Sequence, residues 1–296
     1  MLKRTLYFGN PAYLRKESAQ LVVQYPGKEE HRSVPIEDLG IVVLDHPQIT
    51  VTQSLLSTML DQKIAIVWCD AKHLPSGLML PMAGHHLHAA RINIQASVSL
   101  PLKKRLWQLT VANKIANQAG LLRKLSKRAP VLERMADLVK SGDPENLEGQ
   151  AANLYWQNLF GDFNRGRYED PPNHLLNYGY AILRSVIARS LVSTGLHPAL
   201  GIFHRNQYNP YCLADDIMEP YRPFVDELVY RVWVSEDQQP DTLSTEIKKV
   251  LLQIPAIDVL IEGKMSPLMV AAQRTAAGLA ACFEGDMRKI PYPVIQ

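Results

Sequence analysis

The chain has 296 residues, 47% hydrophobic and 21% charged, a composition that suits two soluble globular domains at roughly 150 residues each. Its formal net charge of +3 neither demands nor forbids a nucleic-acid partner. Three scattered cysteines, Cys69, Cys212 and Cys282, exclude a disulfide framework and a Cys-x-x-Cys metal site. With no signal-like segment and no apolar run near ~18 residues, a cytoplasmic chain that spans no membrane is expected.

Up to about Trp68 the pattern is that of strands. Thr5–Phe8 leads into the turn Gly9-Asn10-Pro11, and Gln20–Tyr25 and His31–Val34 flank Pro26-Gly27-Lys28 as the arms of a hairpin. Leu39–Leu44 (LGIVVL) and Lys63–Cys69 (KIAIVWC) read as buried strands, and Leu55, Leu56, Met59 and Leu60 place a helix within Thr52–Asp61. Residues 1–72 are therefore expected to form a β-rich domain. Residues 73–90 are expected to form a linker, because Pro75, Gly77, Pro81 and Gly84 punctuate it.

From 91 to 296 the period is helical. Pro101 opens a helix with Leu102, Leu106, Leu109, Ala112 and Ala116 on one stripe, and Val131–Val139 predicts a shorter one. Asp143-Pro144 reads as N-cap and first helical residue of a helix whose stripe is Leu147, Ala151, Leu154 and Asn158. Leu175–Leu196 predicts a strong helix with Leu176, Leu183, Val186, Ile187 and Leu191 inward, and Phe224–Val234, Thr245–Leu252 and Ser266–Phe283 continue the pattern. The expected fold class is α+β, a small β-rich N-terminal domain followed by a larger all-α C-terminal domain.

Candidate chemistry gathers in Gly201–Pro223, where His204 precedes Asp215, Asp216 and Glu219. Imidazole with carboxylates suits Mg²⁺ or Mn²⁺; a solvated acidic helix start is the other reading. Glu148, among Gly149, Ala151, Ala152, Tyr155 and Trp156, is either a buried carboxylate needing a cation or a first-turn residue facing water. His85, His86 and His88 invite a zinc reading with Cys69 or Asp70, although the spacing fits no closed tetrahedral motif. Arg91, Lys103, Lys104, Arg105, Arg123, Lys124, Lys127 and Arg128 form either a phosphate-tracking stripe or a solvated face. Arg222, directly after the acidic cluster, and Arg184 are candidate phosphate contacts. P-loop, dinucleotide, zincin and serine-esterase motifs are all missing.

Three segments in order resemble the motifs of the CRISPR-associated adaptation integrase: Glu148-Gly149-Gln150-Ala151-Ala152 with Tyr155-Trp156, GIFH with His204, and LADDIMEPYRP with Glu219. YFGNPAYL, VPIEDLGIVVLD and IAIVWCD resemble its N-terminal region, and the PMAGHH linker resembles the type II version. The resemblance implies that Glu148, His204 and Glu219 are catalytic ligands of Mg²⁺ or Mn²⁺, with Asp216 supporting. It implies a homodimer that joins 3′-hydroxyl ends of short DNA fragments to a CRISPR repeat by transesterification, with related endonuclease activity. The implied partners are a small ferredoxin-like adaptation protein in a heterohexamer, the RNA-guided effector nuclease and other type II adaptation proteins. A non-catalytic DNA-binding scaffold and a zinc hydrolase are the competing readings.

Overall fold

The computed structural model describes residues 3–127, 129–166, 171–235 and 240–296. The chain divides into two compact units, Met1–His86 and Leu87–Gln296.

The N-terminal unit holds β1 (Arg4–Phe8), β2 (Ala12–Glu17), β3 (Gln20–Gln24), β4 (His31–Pro35), β5 (Leu39–Leu44), β6 (Ile49–Val51), α1 (Gln53–Asp61), β7 (Ala65–Cys69) and β8 (Pro75–Met79). They form two four-stranded sheets, ordered β1-β5-β7-β8 and β4-β3-β2-β6. β5 lies between parallel neighbours β1 and β7, and all six of its residues are buried, as a continuous LGIVVL run requires of a central strand. The predicted hairpin is present, with Gln20 opposite Pro35 and Gln24 opposite His31. Leu14, Leu21, Leu39, Leu55, Met59, Ile64 and Ile66 close the core between the elements. β8 lies in the stretch read as irregular. It pairs antiparallel with β7 at the sheet edge, where Pro75 and Gly77 are tolerated.

The second unit holds α2 (His88–Ser97), α3 (Leu100–Lys124), α4 (Pro130–Leu138), α5 (Leu147–Phe160), α6 (Asn173–Ser193), α7 (Cys212–Met218), α8 (Arg222–Ser235), α9 (Thr245–Leu251), β9 (Asp258–Ile261), β10 (Lys264–Pro267) and α10 (Leu268–Glu284). It is predominantly helical, as expected, with one antiparallel hairpin added, β9–β10. Glu262 and Gly263, at φ 50° and 73°, make its two-residue turn; positive φ at both positions matches the twist of the flanking strands. Ser266, predicted to start the last helix, is in β10 instead.

Two helical faces are rotated from the predicted stripes. On α3 the buried positions are Leu106, Trp107, Thr110, Val111, Lys114, Ile115, Asn117 and Gln118, among others, whereas Ala116 faces solvent. On α5 they are Leu147, Ala151, Tyr155, Trp156 and Leu159, leaving Leu154 and Asn158 outside. The helix predicted from Asp143 begins three residues later, after Asn146 at φ 51°. Asp143 still caps it from a distance, its carboxylate accepting the N–H of Leu147 (2.9 Å) and of Glu148 (3.0 Å). Among the described residues, no helix is long and apolar enough to cross a membrane.

Candidate active site

Lys114 is the residue around which the site forms. It points inward from the middle of α3, and its ammonium sits between two carboxylates. One is Glu148 in the first turn of α5. The other is Glu219, 2.6 Å away, in the single 3-10 turn Glu219–Tyr221 between α7 and α8. Arg222 adds a second cation, with Nε 2.9 Å from the other oxygen of Glu219. Burial opposes the carboxylate charge on Glu219, but Arg222 and then Lys114 outweigh it and hold its pKa down to about 2. Burial likewise opposes the charge on Lys114, and Glu219 and Glu148 outweigh it, so its pKa lies above the ordinary lysine value. Glu219 and Lys114 are thus both charged throughout the neutral range. Removing one partner would strand a buried charge, at roughly 3–5 kcal/mol.

His204 lies in the loop before α7. Asp216, on α7 and fully buried, holds this loop. Its Oδ2 accepts the N–H of Ile202 (2.8 Å) and Phe203 (2.9 Å), and its Oδ1 accepts the N–H of His204 (3.2 Å) and meets His204 Nδ1 at 2.5 Å. Gly201 makes the wrap possible, because a Cβ there would lie 2.3 Å from the His204 carbonyl oxygen. Trp107 of α3 stacks on Phe203 at 4.2 Å and meets the His204 ring edge-on at 5.6 Å. With Nδ1 engaged by Asp216, Nε2 is the ring nitrogen left for a further partner. The hydrogen bond to Asp216, opposed by burial and reinforced by the charges of Asp216, Glu219 and Asp215, raises the His204 pKa.

The turn that carries Glu219 is fixed from behind. Asn117, one turn beyond Lys114, donates to the carbonyls of Pro220 (2.7 Å) and Pro293 (2.9 Å) and accepts the N–H of Ile295 (3.0 Å). Tyr221 bonds Thr275 at 2.6 Å.

Glu148 and Glu219, about seventy positions apart in sequence, therefore meet on one ammonium, with the braced His204 beside them. Asp216 is a positioning group. The two arginines are engaged within the fold: Arg222 is an ion-pair partner of Glu219 and lies 4.4 Å over the Tyr180 ring, and Arg184 Nε is 2.7 Å from Asp215. Lys114 and Asn117 escaped the sequence reading. No pattern of letters marks them, because their burial on α3 is set by tertiary packing.

Half of the basic stripe is engaged within the fold: Arg91 pairs with Glu284, Arg123 with Glu133, Lys124 with Glu227, and Lys127 bonds the Asn158 and Leu159 carbonyls. Arg128 lies outside the described residues. His85 and His86 stack on each other at 4.3 Å. Among the described residues no three His, Cys, Asp or Glu side chains are grouped as a ready metal cage: His85, His86 and His88 do not assemble one, nor do Glu148, His204 and Glu219, where the Lys114 ammonium occupies the position shared by the two glutamates.

The fold and the site together define an α+β protein with a carboxylate–histidine centre in its helical unit. The chain belongs to the CRISPR associated protein Cas1 family, whose model matches residues 6–263. It is 35% identical over 283 residues to the CRISPR-associated endonuclease Cas1 of Neisseria meningitidis serogroup C, covering 95% of this chain and 92% of that one. A CRISPR-associated endonuclease Cas1 from Francisella tularensis subsp. novicida is 28% identical, covering 95% of each. Among solved structures, a Cas1 protein from Thermotoga maritima shares the fold with a TM-score of 0.80 at 17% identity, covering 96% of this chain and 98% of that one. A casposase bound to its integration product does so at 0.76 and 18%, covering 98% and 92%.

Proposed function

We propose that this chain is a divalent-metal-dependent integrase and endonuclease of CRISPR adaptation, joining 3′-hydroxyl ends of short DNA fragments to the CRISPR repeat. The observation that carries the reading is the convergence of Glu148 and Glu219 on one positive charge. Two carboxylates from separate helical elements share one cation, and with the Nε2 of His204 they would make an oxygen-and-nitrogen donor set suited to Mg²⁺ or Mn²⁺. Bound by these three, the ion would polarise a phosphate oxygen and stabilise the charge that builds at phosphorus.

In the reaction the 3′-oxygen of the fragment bonds to a repeat phosphorus. The existing P–O bond of that strand breaks, its 3′-oxygen leaves and takes up a proton from solvent, and the proton of the attacking hydroxyl is lost to solvent. The protein's own share is orientation. Asp216 fixes the tautomer and direction of His204, Asn117 fixes the Glu219 turn, and Arg222 keeps Glu219 ionised. Arg184, whose side chain is 40% exposed, is the better placed of the two arginines to approach a phosphate. Relatives in fold include a Cas1–DNA complex and a Cas6-RT-Cas1–Cas2 complex, which supports DNA and a Cas2-type protein as partners. A homodimer within a heterohexamer, with the effector nuclease nearby, extends that reading.

The test is a half-site integration assay with labelled fragments, with and without Mg²⁺ or Mn²⁺. Glu148→Ala, His204→Ala and Glu219→Ala should each abolish joining while circular dichroism stays native. Parental joining by any one of them removes that ligand. Metal-independent binding with no covalent product under any metal would favour the non-catalytic scaffold.

A further inference from the structure

We infer that Lys114 is a built-in stand-in for the metal ion, a tethered cation that holds Glu148 and Glu219 together until a divalent ion takes its place. The inference rests on the metal reading above and deepens it. Three features of the geometry point to it.

First, the ammonium lies where the two proposed ligand carboxylates meet, 2.6 Å from Glu219 and in direct contact with Glu148. An ion bound by both carboxylates needs that same space. Second, the lysine is not a surface residue that happens to reach inward. Its side chain is only 8% exposed, and it stands on the buried face of α3 between Val111 and Asn117. Without it, two carboxylates would face each other with Arg222 touching only Glu219, and like charges at that separation repel. Third, the carboxylates come from separate elements, Glu148 from α5 and Glu219 from the turn after α7. Where they meet, a shared countercharge rather than one rigid helix offsets their repulsion.

Such a lysine has two opposing effects. It assembles the ligands in the absence of metal, which stabilises the metal-free protein. It also competes with the incoming ion, which must displace an ammonium already satisfied by two carboxylates. Lys114 is accordingly a positioning residue, and its signature lies in metal binding and metal-free stability.

The experiment measures Mn²⁺ binding by calorimetry and by electron paramagnetic resonance, with melting curves in EDTA and in Mn²⁺, on the full chain. Wild type, Lys114→Met, Lys114→Arg and the Lys114→Met/Glu219→Ala double variant are compared. Lys114→Met should melt lower than wild type in EDTA, regain most of the loss in Mn²⁺, and bind Mn²⁺ roughly tenfold more tightly. Lys114→Arg keeps the charge and should melt like wild type in EDTA, which separates loss of the cation from damage to the helix. The double variant should lose the recovery by Mn²⁺. Equal Mn²⁺ affinity in wild type and Lys114→Met, or weaker binding in the variant, overturns the stand-in role and leaves the metal reading intact. If neither binds Mn²⁺, with or without DNA, the metal reading fails and the inference with it.

Discussion

Each unit of the molecule contains a buried aspartate bracing a half-exposed histidine through Nδ1. In the β-rich unit Asp45, just after β5, lies 2.8 Å from His73; in the helical unit Asp216 lies 2.5 Å from His204. Both carboxylate side chains are fully buried. The surroundings separate them. Asp45 also takes the hydroxyl of Tyr7 at 2.6 Å, a neutral donor, and His73 hangs from the turn between β7 and β8 at φ 61°. Asp216 has three backbone N–H groups wrapped around it, and the ring it holds feels the charges of Glu219 and Asp215 as well. An oriented histidine is thus a structural commonplace. It becomes a candidate site when further charges, brought from other elements, are assembled beside it.

The largest expected effect tests that contrast directly. His204→Ala should lower half-site integration by at least roughly 100-fold, the scale of losing a metal ligand or its orientation. His73→Ala should stay within about twofold of wild type in the same assay. Equal losses in the two variants would mean that the charge cluster is not what distinguishes them. Next come the braces themselves. Asp216→Asn replaces an acceptor of several N–H groups by an amide whose nitrogen accepts none, so it should cost roughly 3 kcal/mol in urea denaturation and reduce integration. Asp45→Asn should cost roughly 1 kcal/mol, because the Tyr7 hydroxyl can turn to accept from the new amide. A smaller effect belongs to the glycines. At Gly201 an added Cβ collides with backbone 2.3 Å away, whereas at Gly77 of β8 it meets only Trp68 Cβ at 3.5 Å. Gly201→Ala should therefore lose about 1–3 kcal/mol, and Gly77→Ala should fall within about 0.5 kcal/mol of wild type.

What could be read from the letters follows the same division. β5 and α6 were legible because their buried residues are apolar: LGIVVL is a core strand in any context, and Leu176, Leu183, Val186, Ile187 and Leu191 are all buried where the helical period puts them. α3 was legible as a helix but not in its orientation. Lys114, Asn117 and Gln118 are buried, and a stripe drawn through apolar letters alone rotates away from a face that carries polar ones. The hairpin β9–β10 was missed because Glu262-Gly263 is a weaker turn signal than Asn-Gly. At the site, spacing left Glu148 and the acidic cluster open between metal and solvent. Resemblance to a family selected Glu148, His204 and Glu219, and only the fold disclosed the lysine between two of them. A lone lysine in a helix reads as surface; its burial is a tertiary fact.

A last comparison lies inside the helical unit, between two buried carboxylates of opposite character. Glu219, flanked by Arg222 and Lys114, has its pKa lowered to about 2, so the stability it contributes is present above its ordinary carboxylate range and lost as pH falls toward 2. Asp226, one turn along α8 from Arg222, has hydroxyls for partners, Tyr155 at 2.8 Å and Tyr180 at 2.5 Å. Burial dominates there and raises its pKa from 3.8 to about 6, despite those hydrogen bonds. The sign is reversed. The folded state holds this proton more tightly than the unfolded one, so its stabilisation is full below about pH 4 and disappears as pH rises through 6, by on the order of 3 kcal/mol. His204, with its pKa raised above 6.5, loses its contribution higher still, and His174, whose pKa burial lowers, acts in the opposite direction, so a loss of stability between pH 4.5 and 6 belongs to Asp226. In urea denaturation across that window, wild type should lose stability with rising pH and Asp226→Asn should not, because the amide stays neutral and can serve both tyrosines if one hydroxyl turns to accept. Parallel pH profiles for the two proteins would show that Asp226 is ionised at little cost, and that the tyrosines solvate its charge as fully as the lysine and arginine solvate that of Glu219.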